Sequence, residues 1–303
     1  MQLLLNTPAF NVESARAIAE ERFGLRVSAR ELPSERDQNF LLTDESGEKF
    51  VLKIANALES RQLLEAQNAV LDHLENRIAF CPRVRSGVEV KSNHFMRLMT
   101  YLPGVPLSEM NPHSSVLLRD LGRKLGQLDR ALADFDHPAV HRDFHWDLAN
   151  GNRVVSEYGE LIENTDLREV VLSCRFELKT DLRRSVIHGD ANDYNVLVDS
   201  DRVTGLIDFG DIVYSWTIGN LAIAVAYVVL GKDDPWAAAA HVVEGYTEEF
   251  ELFDKELAVL WELVRLRWAM SACLAAYQQR HRPENEYLNI SQRAIAKALQ
   301  QHA

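Results

Sequence analysis

Residues 26–54 read as strands and turns. Val27–Leu32, Asn39–Thr43 and Lys49–Ile54 are predicted strands, and Asp44-Glu45-Ser46-Gly47 is the turn signal between the last two. The order predicts an antiparallel meander. Ahead of it, residues 11–24 read as a short helix with Asn11 as its cap and Gly24 as its stop. A second helix is predicted over Glu59–Asn76, because Leu63, Leu64, Val70, Leu71 and Leu74 fall on one helical side. Cys81-Pro82 ends it. Arg83–Val90 and His94–Thr100 are two further predicted strands, and Tyr101-Leu102-Pro103-Gly104 reads as a connector.

Beyond the connector the pattern becomes helical. Leu118, Leu121, Leu125, Leu128 and Leu132 recur at three- and four-residue steps, which predicts an amphipathic helix over Leu117–Leu132. A helix is expected between Leu167 and Leu182. In Ser185–Leu197 and Val203–Phe209 short apolar strands flank polar clusters, and Asn220–Gln301 reads as four helices. The most apolar run, Ile218–Leu230, is too short for a membrane span, which takes about 20 residues, and it contains Asn220; a buried core helix is expected there. The coarse architecture is α+β, with a small β-rich N-terminal lobe over residues 1–101 and a larger helical lobe over 102–303.

A chain of 303 residues suits two packed lobes, and 47% hydrophobic with 26% charged residues is an ordinary globular balance. The formal charge of −12 disfavours phosphate backbones and anionic lipid, so neither nucleic acid nor membrane is expected as a partner. Cys81, Cys174 and Cys273 are far apart, which excludes a CxxC motif and suits a reducing, cytoplasmic setting. Met1–Asn11 has neither a basic start nor an apolar run of signal length.

Three constellations carry chemistry. In His188-Gly189-Asp190-Ala191-Asn192-Asp193-Tyr194-Asn195, an Asp and an Asn stand five positions apart on a loop, followed by the apolar Val196-Leu197-Val198. Phosphoryl transfer to an alcohol needs a carboxylate for the hydroxyl proton and an oxygen ligand for Mg²⁺ close by. Leu206-Ile207-Asp208-Phe209-Gly210 follows, with Asp208 thirteen residues after Asn195. An apolar strand there delivers a carboxylate, and Mg²⁺ takes one or two carboxylates plus phosphate oxygens. Lys53, on the third predicted strand, can reach nucleotide phosphates, and the next helix offers Glu65 as its ion-pair partner, with Glu59 as the rival. Each piece alone is weak; their order and spacing together are specific.

These elements resemble the aminoglycoside phosphotransferase and choline kinase superfamily, which has a protein-kinase-like fold. The resemblance runs through Lys53, Glu65, Met99–Gly104, Leu121-Gly122-Arg123-Lys124-Leu125, His188–Asn195 and Asp208. Ser34-Glu35-Arg36-Asp37-Gln38-Asn39-Phe40, Leu64-Glu65-Ala66-Gln67-Asn68 and the run from His188 through Tyr214 look most like hydroxylysine kinases and their bacterial relatives. The resemblance implies Asp190 as catalytic base, Asn195 and Asp208 as Mg²⁺ ligands, Lys53 as a phosphate contact and His188 as a brace for the loop. It further implies that Ser34–Asn39 covers the phosphates of ATP or GTP and that main chain near Met99–Tyr101 holds the purine. The activity implied is kinase action on the hydroxyl of a small amino alcohol or hydroxy amino acid. A pseudokinase, and an aminoglycoside or homoserine phosphotransferase, stand as alternatives. A homodimer stays open.

Two positions depart from the family pattern: Asp129, where relatives often carry His, and Asn220, where they often carry an acid that braces the loop. The phosphate-covering turn also lacks glycine. His141-Arg142-Asp143 mimics a kinase triplet but has Leu148, not Asn, five residues on. Residues 141–150 are instead read as a loop near the acceptor pocket, with Trp146 and Asp147 as candidate lining residues. His137, His141 and His145 recur every four residues, but Pro138 breaks the helix a metal site would use. Trp261, Arg265 and Trp268 are read as core packing. For an acceptor ammonium, Asp211 and Asp147 are the candidate carboxylates, with Tyr214, Trp216 and Tyr227 as aromatic walls.

Overall fold

The structure is a computed structural model and describes residues 8–34, 37–281 and 291–302. The chain divides into two compact units, Met1–Pro103 and Gly104–Ala303.

The first unit opens with α1 (Val12–Phe23), where the Asn11 side chain accepts from Ser14 N at 2.8 Å and Gly24, at φ 67°, closes the last turn. Strands β1 (Val27–Leu32), β2 (Gln38–Asp44) and β3 (Lys49–Ile54) form the meander. The helix α2 (Arg61–Leu74) follows, and then β4 (Glu89–Lys91) and β5 (His94–Thr100). The sheet order is β1-β2-β3-β5-β4, antiparallel throughout. Asp44 fixes the β2–β3 turn by accepting from Ser46 N at 2.9 Å and Glu48 N at 2.8 Å.

Register decides what each face of this sheet carries, because side chains alternate along a strand. Phe40, Leu42, Phe50, Leu52, Ile54, Met96 and Leu98 share one face and form a core with Ala15, Ile18 and Ala19 of α1. The opposite face carries a polar row, since Asn39 pairs with Lys53 and Lys53 with Arg97. Arg97 is buried and reaches α2, donating to Asn68 Oδ1 at 3.1 Å and also to Gln67 Oε1 and Leu64 O.

The strand expected over Arg83–Val90 shrinks to Glu89–Lys91. Residues 83–86 do run beside β5, with Arg85 N donating to Leu98 O at 2.8 Å and a single bridge from Val84 to Met99. There the Ser86 hydroxyl, rather than a backbone carbonyl, accepts from Leu98 N at 3.0 Å, so the ladder ends.

The second unit begins with β6 (Val105–Pro106) and α3 (Ser115–Leu132), followed by α4 (Gly151–Tyr158) and α5 (Thr165–Ser173). Next come β7 (Arg184–Ile187), β8 (Val196–Asp199), β9 (Arg202–Leu206) and β10 (Val213–Trp216). The chain ends in α6 (Gly219–Val228), α7 (Pro235–Thr247), α8 (Asp254–Leu257), α9 (Leu260–His281) and α10 (Gln292–Gln301). Two small antiparallel sheets, β6-β8-β9 and β7-β10, carry the polar loops between their strands. Helices α3 and α7 approach through glycine: a Cβ on Gly122 would lie 1.9 Å from Val242 O, and one on Gly245 would lie 1.9 Å from Arg119 O.

Among the described residues from Gly219 onward there are five helices rather than four. The extra one, α8, is a single turn whose Glu256 accepts from Phe253 N at 3.0 Å and from Arg183 Nε at 2.8 Å, an isolated cap that leaves no periodic pattern. The eight-residue α4 was not expected either, and α5 stops at Ser173, well short of Leu182. Helix α6 is buried on nearly every side, and among the described residues no helix is long and apolar enough to cross a membrane.

Candidate active site

Strand β7 delivers His188 into the core, where its two ring nitrogens do different work. Nε2 donates to Ile207 O at 3.0 Å, while Nδ1 accepts from Asp190 N at 3.2 Å, so the imidazole is held neutral with its proton on Nε2. The loop then turns at Gly189, whose φ is +80° and whose Cβ, were there one, would meet Asp211 O at 2.5 Å. Gly189 N donates to Asn220 Oδ1 at 3.1 Å. Asn220 in turn donates to Asp129 Oδ1 at 2.6 Å, and the Tyr246 hydroxyl donates to Asp129 Oδ2 at 2.6 Å. Three helices thereby hold one backbone N–H of the loop. Burial pushes the Asp129 carboxyl up to about 7, with the Tyr246 and Asn220 donors opposing the rise.

The Asp190 carboxylate, 22% exposed, is ringed by donors. Arg267 Nη2 donates to Oδ1 at 2.8 Å, Asn195 Nδ2 to Oδ2 at 2.8 Å, and Asn192 Nδ2 straddles both oxygens at 3.0 Å. Asn192 also accepts from Tyr194 N at 2.8 Å and Asn195 N at 3.1 Å, which closes the loop on itself. Burial, opposed by Arg267 and reinforced by Asp211 and Asp208, pushes the Asp190 carboxyl up to about 7.

Asn195 spends its amide N–H on Asp190 and keeps its carbonyl oxygen for another partner. Ile207 N donates to Asn195 O at 2.9 Å, which ties the start of the next loop to this one. Asp208 follows at φ 62°, a left-handed conformation that is uncommon outside glycine and found often at functional turns. Arg142 pins the segment after it, donating from Nη2 to Gly210 O at 3.0 Å and from Nε to Ile212 O at 3.2 Å while stacked 4.0 Å over the Phe144 ring. Asn195 and Asp208 thus offer an amide oxygen and carboxylate oxygens, hard donors that fit Mg²⁺. Among the described residues no group of three or more His, Cys, Asp and Glu is set to hold a metal ion.

In the first unit, Lys53 stands on β3 between Asn39 and Arg97 on the polar face. Asn39 Oδ1 is buried with no partner among the described residues. Glu65 pairs with Arg61 at 2.8 Å, one turn earlier on α2. Ser34 is exposed, whereas Glu35 and Arg36 of the expected phosphate-covering turn lie outside the described residues. Asp37, at its end, accepts from Asn56 N at 3.0 Å. Met99 is buried and paired with Val51, and Tyr101 N donates to Lys49 O at 3.3 Å.

The residues named for the acceptor separate. Asp147 is buried and committed to the fold: its Oδ1 accepts from Ala149 N at 3.0 Å and from the Ser215 hydroxyl. Tyr214 lies against the His141 ring at 4.4 Å, and His141 bonds Asp136 at 2.7 Å. Trp216 lies near Arg184, 5.8 Å from ring centre to guanidinium. Trp146, expected to line the acceptor pocket, and Tyr227, expected as a wall for a substrate cation, instead frame the guanidinium of Arg267, at 4.7 and 5.7 Å from their ring centres. Asp211 is buried beside Gly189. The three histidines go separate ways, His145 to Tyr158 at 3.3 Å and His137 to Ala139 N at 3.2 Å.

Sequence reasoning did not assign Arg267 or Asn192. Arg267 left one signal: an arginine flanked by Leu266 and Trp268 in a helix otherwise buried around it, where a charge requires a partner.

Residues 28–256 match the family described as "Phosphotransferase enzyme family". A hydroxylysine kinase of Mus musculus is 33% identical over 339 aligned positions, covering 97% of this chain and 89% of its own length. Among solved structures, a complex of the amicoumacin kinase hAmiN with AMP-PNP, Ca²⁺ and Ami is similar at a TM-score of 0.67 and 17% identity, covering 90% of this chain and 88% of that one. A microcompartment-associated aminopropanol kinase is similar at a TM-score of 0.64 and 19% identity, covering 93% and 95%. The fold is the protein-kinase-like α+β fold of these phosphotransferases.

Proposed function

We propose, for a chain that belongs to the phosphotransferase enzyme family, that its reaction moves the γ-phosphoryl group of ATP or GTP to the hydroxyl of a small amino alcohol or hydroxy amino acid of the hydroxylysine type. The observation that supports this is the loop in which the Asn195 amide donates to the Asp190 carboxylate at 2.8 Å.

On this reading Asp190 accepts the hydroxyl proton as the acceptor oxygen bonds to phosphorus and the bond to the bridging oxygen of the leaving diphosphate breaks. Asn195 and Asp208 would hold Mg²⁺, which when bound neutralises charge on the phosphate oxygens. His188 and Asn220 keep the loop from turning Asp190 away. Lys53, with Asn39 beside it, contacts phosphates, and Glu65 orients the lysine. Ser34 belongs to the turn over the phosphates, and main chain at Met99 and Tyr101 meets the base. Asp211 receives the acceptor's ammonium.

The test is nucleotide consumption by purified protein with Mg²⁺ and ATP or GTP, offering 5-hydroxylysine, homoserine, ethanolamine, choline and an aminoglycoside. Turnover on a hydroxylated amine supports the reading. Nucleotide binding without turnover of any acceptor would point to a binding module.

A further inference from the structure

Arg267 is 3% exposed in its side chain, in the middle of α9. Nη2 meets Asp190 Oδ1 at 2.8 Å, and Nη1 meets the carbonyl of Trp146 at 3.4 Å. Trp146 and Tyr227 flank the guanidinium. Its Nε–H is buried with no partner among the described residues. A buried guanidinium with an N–H to spare is an uncommon and costly arrangement. It also stands one hydrogen bond from the carboxylate that takes the acceptor's proton. Any acceptor hydroxyl that reaches Asp190 therefore brings the rest of its molecule close to a fixed positive charge.

Asp211 completes the pattern. It is buried on the turn after Asp208 and packs against Gly189, the residue before Asp190, where an added Cβ would lie 2.5 Å from Asp211 O and 3.7 Å from its Cβ. A positive and a negative side chain thus stand together beside the base. A purely cationic amino alcohol gains from Asp211 and is repelled by Arg267. A zwitterion offers its ammonium to one and its carboxylate to the other, and a guanidinium fork matches a carboxylate in two parallel bonds.

Resting on the kinase reading above, we infer that Arg267 is a specificity-determining residue that binds a carboxylate on the acceptor. The preferred acceptors are then hydroxy amino acids rather than the same amino alcohols without the carboxylate. Asp190 holds the guanidinium in the acceptor-free protein. The arriving carboxylate takes it over and leaves Asp190 a free lone pair for the hydroxyl.

Matched acceptors test this: 5-hydroxylysine against 1,5-diaminopentan-2-ol, and homoserine against 3-aminopropan-1-ol. The native enzyme should favour the carboxylate member in kcat/KM by on the order of 10–100-fold, the worth of a charged hydrogen-bonded contact. Arg267→Met should bring that ratio toward one, chiefly through KM, and Arg267→Lys should restore part of it. A native ratio near one, or an unchanged ratio in Arg267→Met with kcat falling equally for both members, overturns the inference.

Calorimetry on Asp190→Asn supplies a readout that needs neither turnover nor an intact Arg267 variant. The carboxylate member should bind this protein as tightly as the native one or tighter, and at least tenfold tighter than its decarboxylated counterpart. Equal binding of the pair, or binding of neither, overturns the inference. Carboxylate-selective binding in a native protein that transfers no phosphate would instead contradict the kinase reading and leave the assignment of Arg267 intact.

Discussion

Asn220 donates to Asp129 at 2.6 Å while its carbonyl oxygen accepts from Gly189 N at 3.1 Å, so one amide joins a buried carboxylate to the loop that carries Asp190. An amide can do this and a carboxylate cannot, since only the amide has a donor for Asp129. The carboxylate thus sits at position 129 and the neutral bridge at 220.

Asn220→Asp should destabilise the protein by more than the ordinary 1–3 kcal/mol cost of an unsatisfied buried group, because it sets two buried carboxylates side by side. Asp129→Asn added to it moves the charge one position along the chain of bonds and should recover much of the loss. A double-mutant cycle read by urea unfolding checks this. Additive losses would show that the two side chains do not act as a unit.

Asp129 also predicts a pH dependence. Its carboxyl is raised by burial from an ordinary 3.8 to about 7 in the folded protein, so the folded state binds the proton more tightly than the unfolded one. Its contribution to stability is full below about pH 4, falls as pH rises toward 7 and is constant above. The stability difference between native protein and Asp129→Asn should follow that curve in denaturant titrations from pH 4 to 8. A difference independent of pH would contradict it.

Arg142 holds the carbonyls of Gly210 and Ile212 and thereby the turn that follows Asp208. With Asp208 in its proposed role as a Mg²⁺ ligand, Arg142→Gln should leave the thermal midpoint within a few degrees of native and raise the Mg²⁺ concentration needed for half-maximal activity by about 10–100-fold, the usual effect of removing an outer support of a metal ligand. Metal titrations of activity measure it. An unchanged requirement would show that the Asp208 turn holds itself.

Gly122 lets α3 lie against the backbone of α7, where an added Cβ would fall 1.9 Å from Val242 O. Gly122→Ala should cost about 1–3 kcal/mol or more, since backbone rather than a side chain must give way. Thermal unfolding reads the loss.

Much of this was legible in the sequence because strands, turns and amphipathic helices obey short-range rules. The meander from Val27 to Ile54 and the leucine repeat of Leu117–Leu132 are where their patterns place them. What failed were elements whose hydrogen bonds come from elsewhere: the single turn 254–257, held by the bonds of Glu256, and residues 83–86, where a serine hydroxyl ends a ladder. The loop from His188 to Asn195 could be read because its polar groups lie in one short run. Of the residues that encircle it, Asn220 is legible only through the family resemblance, as the brace of that loop, and Arg267, 77 positions from the carboxylate it holds, belongs to no motif. Nor could the sequence reveal that Trp146 and Tyr227 already face a cation from the chain's own α9.

The central claim, that Asp190 serves the acceptor hydroxyl, is tested most directly by Asp190→Asn. Steady-state phosphate transfer to the best acceptor should fall on the order of 10²–10⁴-fold, with nucleotide affinity retained and the protein folded. Native turnover in that variant would contradict the account.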